Sequence, residues 1–172
     1  MKAEERREKI LTALREQEDA VSAAALARRM RVSRQVIVGD IALLRAHGSE
    51  IIATSRGYML SAPALSGRYI GKIACRHSVE DTEKELFAIV GLGCEAVDVT
   101  VTHKLYGDMT GQLNISTRED AEAFVKNVKN SEERLLSELT DGVHLHTIAC
   151  RDKAAFEAVR AELARLGILL PE

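Results

Sequence analysis

The stretch "DGVHLHTIAC", Asp141 to Cys150, sets His144 and His146 one residue apart in an apolar run. Side chains alternate along a β-strand, so both imidazoles project from one face. The chain has five histidines in all. Two neutral imidazoles on one strand face can share a transition metal, because imidazole nitrogen suits zinc, nickel, copper or iron. His77 offers a third nitrogen. Glu85, eight residues on and two turns into the following helical segment, offers a carboxylate oxygen. Three nitrogens and one oxygen, completed by water, fit a tetrahedral or octahedral site. The plainer alternative is packing: a histidine on an apolar strand is commonly a hydrogen-bonded core residue, and for His103, alone in its run, that reading comes first.

The elements that must position these residues follow from hydrophobic periodicity and capping signals. "RYIGKIACRH", Arg68 to His77, reads as a strand. "SVEDTEKELFAIVGLG" reads as a helix capped by Ser78, with Leu86, Phe87 and Val90 inward. "EAVDVTVTHKLYG" is a second strand with Val97, Val99, Val101 and His103 on one face, and "MTGQLNI" a third. "STREDAEAFVKNVKN" is a helix opened by a capping box from Ser116 to Glu119, and "SEERLLSELT" continues helical. "VHLHTIAC" is the fourth strand. "RDKAAFEAVRAELARLG" is a closing helix bearing Phe156, Val159, Leu163 and Leu166 and ended by Gly167. A βαββαβ run is the split βαβ arrangement, whose usual strand order is four-one-three-two, all antiparallel. In that order His77, His103, His144 and His146 lie toward one end of the sheet.

The first third reads differently. Ile10, Leu11 and Leu14 mark one amphipathic helix. Leu26 and Met30 mark a second, capped by Ser22. Val36, Ile37, Ile41 and Leu44 mark a third, capped by Ser33 and stopped at Gly48. "IIATSRGYML" then reads as two short strands around the turn Ser55-Arg56-Gly57. Helix, helix, short turn, helix and hairpin is the winged helix-turn-helix layout. Ser33, Arg34 and Gln35 at the start of the third helix can reach base edges in a major groove. Arg28, Arg29 and Arg31 can hold phosphates, which position rather than specify. Arg56, at the hairpin tip, can meet the adjacent backbone or minor groove. The organisation expected is an α+β chain with a winged helix at 1–60, a linker at 61–67 ("SAPALSG") and a βαββαβ domain at 68–172.

Composition agrees with a folded regulator. The 172 residues are 46% hydrophobic and 29% charged, which is globular rather than disordered. Aromatics are 3% with no Trp, which weighs against single-strand RNA binding by stacking. Residues 1–62 carry 11 Lys+Arg against 8 Asp+Glu, and the remainder 13 against 18, so a polyanion would meet the N-terminal part. The expectation is a cytoplasmic protein: no apolar run reaches the ~18–20 residues of a membrane span, the N-terminus is charged, and Cys75, Cys94 and Cys150 form no CxxC. They read as reduced, buried core thiols.

Two resemblances sharpen this. "LARRMRVSRQVIVGDIALLRAHG" resembles the helix-turn-helix of bacterial winged-helix repressors of the biotin-repressor type, with Gly39 where a longer, often basic residue is expected. "CRHSVEDTEKEL", "VDVTVTHKLYGDMTGQL" and "DGVHLHTI" are similar to the three-histidine (3H) domain of niacin-responsive transcriptional repressors, over essentially the whole chain. That resemblance implies a dimeric repressor of genes for NAD synthesis or niacin uptake, with nicotinic acid as corepressor and operator DNA as partner. It implies one divalent transition metal per chain, nickel or zinc or else iron, on His77, Glu85, His144 and His146. His103 falls in a His-x-x-Tyr-Gly pattern, "HKLYG", with Lys104 where proline is expected and Tyr106 and Gly107 matching. His103, Tyr106 and Arg76 are then the expected effector contacts. Two rivals remain at this level: a regulator that senses the metal itself, and a metal-dependent hydrolase. For the hydrolase the sequence offers no nucleophile motif and no phosphate-cradling loop, so the chain is read as a non-enzyme.

Overall fold

Ile10, Ala13 and Leu14 bury one stripe of the first helix, α1 (Ala3–Arg15). Leu26, Ala27 and Met30 do so for α2 (Ala23–Met30), and Ile37, Ile41 and Leu44 for α3 (Arg34–Ala46). These stripes, with Ile51, close one small core. Val36, expected in that stripe, is instead 37% exposed. Asp40 takes the inward place and is 3% exposed. Its carboxylate accepts from Arg6 Nε at 2.6 Å and Nη2 at 3.2 Å, a bidentate pair that ties α1 to α3. The Ser22 hydroxyl accepts from the Ala25 amide and caps α2. The hairpin follows as β1 (Ile51–Thr54) and β2 (Gly57–Leu60), antiparallel.

The computed structural model describes residues 2–17, 19–60 and 67–171, so most of the expected linker, 61–66, lies outside the described residues. The chain divides into two compact units, Met1–Ala64 and Leu65–Glu172, and is of the α+β class. The second unit holds β3 (Tyr69–Arg76), α4 (Thr82–Gly91), β4 (Glu95–His103), β5 (Gly107–Ile115), α5 (Arg118–Asn130), β6 (Val143–Cys150) and α6 (Lys153–Arg165). The βαββαβ order is as read from the sequence. No helix among the described residues is long and apolar enough to cross a membrane.

The strand order differs from expectation. It runs β5-β4-β6-β3, antiparallel throughout. The outer pairings match the expected order, but β6 rather than β3 meets the second hairpin. Burial gives the reason: Ile148, Ala149 and Cys150 on β6 are each 0% exposed, and such a strand belongs inside a sheet. The same change explains the thiols. Glu95 pairs with Ala149, which sets Cys94 beside Cys150, and the two form a disulfide with a Cα separation of 4.5 Å. The reading of three reduced thiols is therefore corrected; Cys75 alone is a free, buried cysteine.

Smaller corrections follow local chemistry. The capping box of α5 sits one residue later, between Thr117 and Asp120, because the Asp120 carboxylate reaches back to the amides of Ser116 and Thr117. Ser78 makes no side-chain cap. "SEERLLSELT" breaks from the helix at Ser131, which is extended, and resumes only as a 3₁₀ turn, Leu136–Thr140. The ladders of β4 shift register between Ala96 and Asp98. Val97 occupies the resulting bulge, so Ala96, not Val97, shares the packed face with Val99.

Candidate metal centre

Three elements bring the histidines and Glu85 together. In the β3–β6 ladder Cys75 faces His144 and Ile73 faces His146. His77 follows two residues after Cys75, just past the end of β3. Glu85 lies on the buried face of α4 beside Leu86 and Ile89. It is 2% exposed, and His144 and His146 are each 3% exposed. Its Oε2 lies 2.7 Å from His77 Nε2 and 3.3 Å from His146 Nε2, and its Oε1 lies 3.1 Å from His144 Nε2. The rings pack edge to face, with centroids 4.9 Å apart for His77–His144 and 4.8 Å for His144–His146.

The opposite ring nitrogens are all occupied by backbone. Nδ1 of His77 lies 2.7 Å from Ser78 O, that of His144 2.8 Å from Gly142 O, and that of His146 2.7 Å from Asp98 O. A carbonyl oxygen only accepts, so each Nδ1 carries the proton and donates. This is the arrangement that orients metal-ligating imidazoles. The β4 bulge turns the Asp98 carbonyl toward His146, while the Asp98 carboxylate accepts from the Thr147 amide at 3.2 Å. Gly142, at φ +86°, seats its carbonyl against both His77 and His144; a Cβ there would lie within van der Waals contact of the His77 carbonyl.

With Nδ1–H committed, a neutral imidazole turns its Nε2 lone pair toward an anionic carboxylate. Lone pairs facing that oxygen repel, so the cluster requires a cation, either protons or a metal ion. The ionisation directions agree. Burial drives Glu85 upward, but the charge and hydrogen bonds of the imidazoles outweigh it and hold the carboxyl well below its usual range. Burial drives His77 and His146 downward, and Glu85 reverses this and raises both. His146 Nε2 is fully enclosed and makes no hydrogen bond, with Glu85 Oε2 facing it at 3.3 Å, a buried polar atom that a cation would satisfy.

A cavity of about 40 Å³ adjoins the cluster. The three imidazoles, Glu85 and Thr82 form its polar end, and Val99, Leu113, Phe124, Leu135 and Leu136 its apolar walls. Thr82 Oγ1 is buried without a hydrogen-bond partner.

Residues 70–172 match the 3H domain family and residues 6–59 an HTH domain. The chain is 40% identical over 169 residues to "Transcription repressor NadR" of Bacillus subtilis, covering 97% of this chain and 94% of that protein. It is 38% identical over 169 residues to "Probable transcription repressor NiaR" of Thermotoga maritima, covering 98% and 95%. The chain belongs to the NadR/NiaR family of transcription repressors. It is a DNA-binding repressor, not an enzyme.

Of the residues expected to contact an effector, none lines the cavity in this NadR/NiaR-family chain. His103 closes β4 and stacks on Tyr106 at 5.1 Å between centroids, its Nδ1 accepting from the Leu105 amide. Tyr106 is 75% exposed. Arg76 is exposed and lines an open cleft on the outer side of His77, together with Arg134. His103 lies beyond the last β4–β6 pair, Thr100 with Leu145, and its ring stacks on Tyr106 instead of joining the cluster.

The expected DNA contacts sit on the first unit. Arg34 and Gln35 are exposed on the first turn of α3. The Ser33 hydroxyl is used as the N-cap, accepting from the Val36 amide at 3.3 Å. Arg28, Arg29 and Arg31 are exposed at the end of α2, Arg31 in the left-handed conformation, and Arg29 lies 4.0 Å from Glu16. Arg34 and Arg56 line one cleft together with the start of α2 and the hairpin. Gly39 is exposed with open space at its Cβ position, so the longer side chain expected there would fit.

Sequence reasoning placed Cys75 in the core as a reduced thiol, which it is, but not beside the cluster. Its Sγ, a Glu85 oxygen and a His144 nitrogen lie within 4.8 Å of one another. Burial and the Glu85 carboxylate beside it raise its thiol far above the usual range in the metal-free chain. The available signal was the spacing "CRH", which repeats on β3 the i, i+2 pattern of His144 and His146.

Proposed function

We propose that this chain is a nicotinic-acid-responsive repressor that holds one divalent transition metal, nickel or zinc or else iron, on His77, Glu85, His144 and His146. It would act in the cytoplasm as a homodimer on the operators of genes for NAD synthesis or niacin uptake. The observation that carries this reading is the set of three Nε2 atoms turned onto a buried carboxylate while every Nδ1 donates to a backbone carbonyl. The residues fit the ion: nitrogen and carboxylate donors of the right type, oriented from behind, with His146 Nε2 enclosed and making no hydrogen bond.

When bound, the metal supplies a Lewis-acid position for a pyridine nitrogen or a carboxylate. The chain's own residues do the rest. Val99, Leu113, Phe124 and Leu136 offer apolar walls to a flat ring, and Thr82 Oγ1 offers an unused hydrogen-bonding group. A cavity of about 40 Å³ holds a few water molecules, not a pyridine carboxylate. The ring would therefore enter as the Leu135–Ser137 segment withdraws. Such a displacement gives the effector different affinities for two states, which is what control of DNA binding demands.

The test is titration of metal-loaded protein with nicotinate in the presence of an operator duplex. Tighter operator binding supports the corepressor reading, and unchanged affinity rejects it. The small cavity also favours a second reading, in which the metal alone is sensed. Operator affinity that tracks metal concentration with no organic ligand present would select it.

A further inference from the structure

We propose that Cys75 is a fifth donor at this centre, binding the metal as a thiolate. The inference rests on the metal-binding reading above and adds a ligand to it. Cys75 stands directly opposite His144 in the β3–β6 ladder and precedes His77, just past the end of β3, by two residues. It is 0% exposed. Its Sγ, one Glu85 oxygen and one His144 nitrogen lie within 4.8 Å of one another, which is the separation of atoms that can converge on a single ion. His146 Nε2, enclosed on the same strand face as His144 and facing Glu85 Oε2 at 3.3 Å without forming a hydrogen bond, marks the same place as one where a cation is needed.

Charge supplies the physical reason. A divalent ion on three neutral imidazoles and Glu85 would leave one positive charge buried, and an unbalanced buried charge is costly. A thiolate from Cys75 brings the site to neutrality. On binding, the S–H bond gives way to a metal–sulfur bond and the proton leaves to solvent. No electron is transferred. Five donors leave an octahedral ion one open position, and a sulfur among them favours thiophilic late ions such as zinc or nickel over magnesium or manganese.

X-ray absorption on the unaltered, zinc-loaded protein tests this without any substitution. A sulfur shell at about 2.3 Å beside the nitrogen and oxygen shell is the result expected. One equivalent of zinc with nitrogen and oxygen neighbours only would overturn the proposal. Failure to retain zinc through dialysis would overturn the metal reading itself, and with it the fifth donor. Cobalt loading identifies the sulfur: the near-ultraviolet sulfur-to-cobalt charge-transfer band should vanish in Cys75→Ala while the visible bands of the nitrogen and oxygen donors persist. The band should survive in Cys94→Ala/Cys150→Ala. Its persistence in Cys75→Ala would assign the sulfur elsewhere and refute the proposal.

Discussion

Glu85 is the residue on which the centre turns, because three imidazoles address its two oxygens from separate elements. Glu85→Gln keeps the shape and removes the charge, so the variant should fold yet lose bound metal on dialysis, read by elemental analysis. The pH behaviour of the metal-free chain follows from the same contacts. His77 and His146 are raised by folding, so their contribution is complete below the unfolded imidazole value, about 6.5, and is lost as pH rises through the raised values. Glu85 is lowered, so its contribution is present above the unfolded carboxylate value and lost as pH falls through the lowered one. Metal-free protein should accordingly melt at a lower temperature at about pH 9 than at about pH 6. Zinc should restore the melting temperature at the higher pH, and Glu85→Gln should flatten the difference. A Tm that is flat across this range in the wild type would contradict the cluster's geometry. That His77, Glu85, His144 and His146 meet was legible from residue type, spacing and the family resemblance. Cys75 was not, because a buried cysteine is ordinarily a small apolar residue and only the register opposite His144 gives it another role.

Among the elements, the turn into β6 and the bulge on β4 decide whether the imidazoles aim correctly. Gly142→Ala would force a side chain into a left-handed backbone against His77. It should cost more than about 1 kcal/mol, read as a lower urea midpoint, and should weaken metal retention by displacing both His77 and His144. Helix α3 presents Arg34 and Gln35 while Ile37, Asp40, Ile41 and Leu44 bury. Arg34→Ala should cost about 1–3 kcal/mol of operator affinity and relax the preference at one base pair, measured by competition binding. Arg28→Ala should weaken binding to all sequences alike and lower the salt slope by about one. Capping signals located the start of α3, because the Ser33 hydroxyl answers an amide three residues away. The bulge at Val97 was invisible, because it arises from a mismatch between two ladders rather than from any residue in one.

For the whole molecule, a homodimer on a palindromic operator should protect two half-sites about 34–36 Å apart, one DNA turn, in a footprint of the metal-loaded protein. Sedimentation should give twice the chain mass. A monomer with a single protected half-site would refute the dimeric reading. The sequence by itself determined the order of elements, the two kinds of fold along the chain and the residue types of the His/Glu cluster, because periodicity, caps and residue chemistry are local properties. Only the tertiary structure decided that β6 lies between β3 and β4. Which strand becomes central depends on how completely its two faces can be buried by all the others, a property no single segment carries. From that placement came the Cys94–Cys150 disulfide and the carbonyl behind His146.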